Sequence, residues 1–165
     1  FIEIILRRYH KVLRQLFLRY TTTGFTTKNA TNFDQQAQRT ETISNTELVR
    51  LLKDYKLFFL TDLTENQLLV RDVNVKVLKK RETQEFDFAG FEQYIIQFVL
   101  VVFSRPHTVT IKSEGKIISE KRELKNLMPA QILEVFFKYL RTVTEERGEN
   151  TLLFDDPDSA YFNES

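Results

Sequence analysis

The chain has 165 residues, 24 Lys and Arg against 23 Asp and Glu for a formal net charge of +1, and no cysteine. That length can bury the core of one domain, and the cysteine count excludes disulfides, thiolate metal sites and cysteine nucleophiles. Near-neutral charge disfavours a dedicated nucleic-acid binder, which concentrates surplus Lys and Arg on one surface, and no stretch reaches the roughly 20 apolar residues of a membrane span.

Phe is abundant, at 15, while Gly and Pro number 4 and 3, so long helices are expected rather than a turn-rich β fold. In residues 1–20, Ile2, Ile5, Leu6, Tyr9, Leu13, Leu16, Phe17 and Tyr20 recur at steps of three and four, which predicts one amphipathic helix. Arg7, Arg8, Lys11 and Arg14 fall mostly on its other face and are candidates for docking on an acidic protein surface; His10 beside them reads as an ordinary surface residue. The chain enters this helix at Phe1 without a Met and is read as a piece of a longer protein. Residues 21–42 are polar and aperiodic, a long loop that Phe25 and Phe33 would pin to the core.

Ser44 followed by Glu47 is a capping box and opens a second helix with Leu48, Leu51, Leu52 and Tyr55 inward. Thr64 followed by Gln67 offers another box, opening a third helix with Leu68, Leu69, Val73 and Val77 as core positions, and residues 79–85 form a charged loop. The clearest signal comes next. Phe86 and Phe88 alternate with Asp87 as in a short strand, and Phe91, Tyr94, Ile95, Phe98, Val99 and Val102 then follow at helical spacing. Ile96, Leu100, Val101 and Phe103 lie off that stripe and need cover, either from the C-terminal helix and tail or from a partner helix laid in a groove, for which Ile96 and Leu100 are the candidate contacts.

Ser104-Arg105-Pro106 ends this helix, and residues 108–119 are expected to form a small hairpin about Glu114-Gly115. Pro129 suits a helix first turn; Ile132, Leu133, Phe136, Phe137, Leu140 and Val143 carry the helix to about Arg147, with Gly148 as its C-cap. The arm 149–165 is acidic and aromatic. It packs on its own domain or presents Phe154, Tyr161 and Phe162 to a partner. Glu145 and Glu146 before it and its own Glu149, Asp155, Asp156, Asp158 and Glu164, against Arg141 and Arg147, make an acidic pole opposite in sign to the first helix.

The order of helix, loop, Ile43 and Glu47 opening a helix, then helix, loop and Phe86-Asp87-Phe88 opening a helix resembles a pair of EF-hands. The resemblance implies that Ile43 and Phe86, at loop position eight, pair the two loops, and that position twelve is Glu47 in the first loop and Gly90 in the second, where calcium needs a bidentate Glu. Lys79, Arg81 and Thr83 stand where the second loop needs oxygen donors; Gln36, Gln38 and Thr40 stand there in the first, with Glu41 at the glycine position and only Asp34 and Glu41 to join Glu47 in an irregular site. The pair is therefore read as degenerate. The runs ELVRLLKDYKLFFLTDLTENQL and EFDFAGFEQYI also resemble EF-hand-like modules of the p25-alpha (tubulin polymerization-promoting) family and of ciliary microtubule-associated proteins, through Lys53-Asp54, Thr64 and Phe88 to Phe91. That implies a cytoplasmic, cytoskeletal setting, the cilium included, with tubulin or other axonemal proteins as partners.

The expected architecture is mostly α: residues 1–103 a degenerate EF-hand-like pair, 104–128 a linker or hairpin, 129–148 the C-terminal helix and 149–165 the tail. Neither His10 nor His107 lies in a catalytic motif, and phosphate-binding loops, dinucleotide turns and His-rich metal spacings do not occur. The chain is read as a non-enzymatic, calcium-independent interaction or scaffold module, with protein partners and neither cofactor nor small-molecule substrate. A calcium-regulated adaptor using Glu47 is the alternative, and a membrane-surface or RNA-binding module is disfavoured by the charge balance.

Overall fold

In the computed structural model, which describes residues 2–21, 41–79, 85–113, 115–124 and 126–155, the first apolar stripe folds as two helices. Helix α1 (Ile2–Arg8) and helix α2 (His10–Tyr20) meet at Tyr9, whose φ of −104° and ψ of 15° leave the helical region. Tyr9 N–H still donates to Ile5 O at 3.1 Å and Leu13 N–H to Tyr9 O at 3.0 Å, so the faces on either side stay in register. The Tyr9 ring is buried and stacked on Phe137 at 4.2 Å. Expected core positions Ile5, Leu13, Leu16, Phe17 and Tyr20 are buried, Ile2 and Leu6 pack against the core at its margin, and Val12 joins them.

Strand β1 (Ile43–Ser44) leads straight into helix α3 (Asn45–Asp54), and Ser44 caps it by accepting from Glu47 N–H at 3.2 Å. The Glu47 carboxylate accepts from the Ser44 hydroxyl at 2.9 Å. After a 3-10 turn at Phe58–Leu60 comes helix α4 (Leu63–Asp72), which starts two residues earlier than expected: the cap is Asp62, accepting from Glu65 N–H at 2.8 Å, and Thr64 lies inside the helix. Its inward face also differs from expectation. Val73 is buried and Leu69 half-buried, but Leu68 and Val77 are exposed, and Asn66, Val70 and Asn74 take the core positions. Two buried asparagines are tolerable there because each is bonded: Asn66 accepts from the Tyr94 hydroxyl, and Asn74 Nδ2 donates to Val70 O at 3.2 Å.

Strand β2 (Glu85–Phe86) pairs antiparallel with β1, Ile43 opposite Phe86 and Ser44 opposite Glu85. Helix α5 (Phe88–Gln97) follows at once, with Asp87 as its cap. Both α4 and α5 widen into π-helical turns, at Val73–Val77 and Phe98–Phe103, where Leu78 N–H reaches Val73 O at 2.9 Å and Ser104 N–H reaches Val99 O at 3.1 Å. The wide turn in α5 puts Phe98, Val99, Val102 and Phe103 all in the core, so Phe103, off the stripe at ordinary helical spacing, is fully buried.

A hairpin of β3 (His107–Ser113) and β4 (Lys116–Arg122) comes next, turning at Gly115 with φ of 78°, and extends beyond its expected range at both ends. Helix α6 (Pro129–Glu146) runs as expected; Gln131 Oε1 accepts from Met128 N–H at 2.8 Å at its start, and Gly148, φ 75°, follows its end. A 3-10 turn at Leu152–Asp155 closes the described chain. Helix α6 bridges the halves of the molecule. Phe137 meets Tyr9, while Phe136 and Tyr139 meet Phe103 at 5.4 and 5.7 Å.

Candidate protein-interaction surface

With Ile5, Val12, Leu13, Leu16 and Phe17 turned inward, the opposite side of α1 and α2 is fixed by geometry. Ile4, Arg7, Lys11, Arg14 and Leu18 follow one another at steps of three and four along it, and all are exposed. Three cations thus form a stripe with an apolar residue at each end, Ile4 at 46% exposure and Leu18 at 41%. The Arg14 guanidinium lies over the Phe88 ring at 5.0 Å from its centroid, which holds the cation in place while leaving it at the surface. His10 stands edge-on to the same ring at 5.3 Å and 4.0 Å from the Glu92 carboxylate, whose pKa is raised by burial against the opposing pull of His10.

Arg8 does not belong to this stripe. It points to α6 and pairs with Glu134 at 2.8 Å, fastening the first helix to the last. The two poles of opposite sign likewise meet within the molecule. Arg19 pairs with Glu149 at 3.1 Å and donates to the Tyr55 hydroxyl, which donates to Glu149 at 2.7 Å. Arg147 reaches Glu149 at 3.3 Å and stacks over the Tyr55 ring at 4.9 Å. Lys56 pairs with Glu146 at 2.5 Å and Arg141 with Asp155 at 2.7 Å. Burial alone would raise the Glu149 carboxyl, but the Tyr55 and Arg147 hydrogen bonds and the Arg19 and Arg147 charges override it and hold its pKa below the usual carboxylate range. Burial and the bond to Glu149 push Tyr55 up to about 12. These groups tie α2, α3 and the end of α6 together, so Glu146, Glu149 and Asp155 are engaged within the molecule.

The remaining expected contacts divide the same way. Ile96 is buried and Leu100 is half-buried against the core, so neither presents an open partner surface. Phe154 is buried and lies 6.4 Å from Tyr9, so this part of the arm packs on its own domain. Tyr161 and Phe162 lie outside the described residues, as do Phe25 and Phe33.

A second exposed feature gathers residues that the sequence expected to be covered. Between α4 and α5 the side chains of Leu68, Val77 and Val101 border a groove floored by Val73 and Val102 and rimmed by Glu65, Asp72 and Lys76. It runs along α4 and both π-helical turns.

At the positions that the EF-hand resemblance would give to calcium ligands, Glu47 is engaged in its helix cap and Gly90 supplies no side-chain oxygen. Lys79 is exposed with φ of 55°; Asp34, Gln36, Gln38, Thr40, Arg81 and Thr83 lie outside the described residues. Among the described residues, no cluster of three or more His, Cys, Asp or Glu is placed to hold a metal ion, and no helix is long and apolar enough to cross a membrane. No family model, curated protein or solved structure matches the chain.

Proposed function

We propose that this chain is a non-enzymatic, calcium-independent protein-interaction module that offers a rigid basic stripe to an acidic protein surface. The observation carrying this reading is the Ile4–Arg7–Lys11–Arg14–Leu18 stripe, three cations between two exposed apolar residues on a helix pair whose other face is core. An acidic partner gains attraction from the cations and orientation from the apolar ends. The antiparallel Ile43–Phe86 pair, at the positions the EF-hand resemblance gives to the link between loops, supports an EF-hand-like core, and the engaged Glu47 with side-chain-free Gly90 supports calcium independence. Tubulin, in a cytoskeletal or ciliary setting, is the acidic partner that the p25-alpha resemblance implies.

Combined Arg7→Glu, Lys11→Glu and Arg14→Glu is expected to abolish co-sedimentation with microtubules while leaving the melting temperature within about 2 °C of the parent, since surface substitutions change stability little. Arg8→Glu alone should instead lower stability, because it sets a carboxylate against Glu134. Undiminished co-sedimentation of the triple variant would remove the stripe from the interface.

A further inference from the structure

The hairpin is half anchored. In β3, Val109 is buried and His107 nearly so, whereas every residue of β4 from Lys116 to Lys121 is exposed, with Ile117 at 72% and Ile118 at 51%. Among the described residues β4 pairs with β3 alone, so its outer row of N–H and C=O groups faces outward. Two-stranded sheets are marginal by themselves, and an open edge carrying exposed isoleucines is a template for another strand.

The charges of β4 indicate which strand. Groups that point away from β3 belong to every second residue. Antiparallel pairing of β4 with its own copy must match residues of that one parity, so each permitted register is centred on a residue. Centred on Ser119, the register sets Lys116 against Arg122 of the other copy; centred on Glu120, it sets Glu120 against itself. Centred on Ile117, it brings no charged residue of β4 opposite another. Centred on Ile118, it places Lys116 opposite Glu120 twice by symmetry, with the two Ile118 side chains in contact on the axis. Within each chain Glu120 also lies 3.7 Å from Arg122, on the same face of the sheet. We infer that β4 is a homodimerisation strand: two copies join edge to edge about Ile118 into a four-stranded antiparallel sheet, β3–β4–β4–β3.

The absence of native cysteine makes the register directly testable in the full chain. In this arrangement Ile118→Cys brings two thiols into facing positions with Cα atoms about 4.5–5.5 Å apart, inside the range a disulfide spans. Lys121→Cys sets them six residues apart along the strands, roughly 20 Å. Mild oxidation should therefore yield a covalent dimer of Ile118→Cys and leave Lys121→Cys monomeric. Sedimentation equilibrium of the unmodified chain should show a dimer, weakened about tenfold by Glu120→Lys and restored by Lys116→Glu combined with Glu120→Lys. The inference is overturned by a monomer at concentrations up to about 1 mM, the weak end of specific association. Equal cross-linking at both positions, or failure of the charge swap to restore the dimer, also overturns it, as does a chain that stays monomeric while capturing an acidic extended peptide on β4.

Discussion

Phe103→Ala is expected to lower the unfolding free energy by about 3–5 kcal/mol, the range for truncating a large aromatic in a packed core. Phe103 is fully buried and touches three aromatic rings, His107 at 5.0 Å, Phe136 at 5.4 Å and Tyr139 at 5.7 Å. It sits where the end of α5, the start of the hairpin and the middle of α6 converge, so the cavity opens at the junction of all three. Aromatic pairs add about 0.5–1.5 kcal/mol each beyond area burial, which places this site toward the upper end of the range. Val101→Ala, two residues away but 48% exposed, should cost less than about 0.5 kcal/mol. Urea unfolding of both variants checks the contrast. Equal losses would mean that the wide turn of α5 does not set the inward face as described.

Gly90→Glu is the second large effect, and it tests the packing at the start of α5. On the EF-hand resemblance, a Glu there would supply the position-twelve ligand that the second loop lacks. Gly90 is the third residue of α5, and a Cβ at this site would stand 2.8 Å from Phe86 Cδ1 and 3.2 Å from Phe86 Cβ. The Phe86 ring is buried and tied to the β1–β2 pair, so it has little room to retreat. Overpacking of this kind costs about 1–3 kcal/mol, against which Ala in place of Gly regains up to about 1 kcal/mol of helix propensity. Gly90→Ala should therefore lose about 1–2 kcal/mol, and Gly90→Glu, which also pushes a carboxylate into a buried site, about 3 kcal/mol or more. Millimolar calcium should recover none of it. A Gly90→Glu variant as stable as the parent would mean that the Phe86 ring gives way and that the start of α5 is not packed as described.

Features governed by local pattern were legible. The inward stripe of residues 1–20, the Ser44 cap, the strand-to-helix switch at Phe86 to Phe88, the hairpin turn and the helix beginning at Pro129 all follow from periodicity or capping chemistry. Two kinds of information were not. A fixed 3.6-residue period has no room for the wide turns at Val73–Val77 and Phe98–Phe103, so it left Phe103 outside the core. Hydrophobicity also nominated Leu68 and Val77 over Asn66 and Asn74, because burial of an asparagine depends on partners such as Tyr94 that only tertiary structure brings within reach.

The basic face illustrates a subtler limit. Sequence placed Arg7, Arg8, Lys11 and Arg14 together, yet a helix separates adjacent residues by about 100°. That separation divides the four cations: Arg8 faces Glu134, and Arg7, Lys11 and Arg14 face outward. Acidic residues showed the same ambiguity, and Glu146, Glu149 and Asp155 resolve into intramolecular partners.

The interaction reading is tested most directly by cross-linking mass spectrometry of the full-length protein in native extract, using a carbodiimide that joins amines to carboxylates. Lys11 is the one lysine of α1 and α2 and lies at the centre of the stripe. The account predicts links from Lys11 to acidic residues of tubulin or an associated axonemal protein, lost when Arg7 and Arg14 are reversed to Glu. Links from Lys11 confined to carboxylates of its own chain, unchanged in the reversed variant, would contradict it.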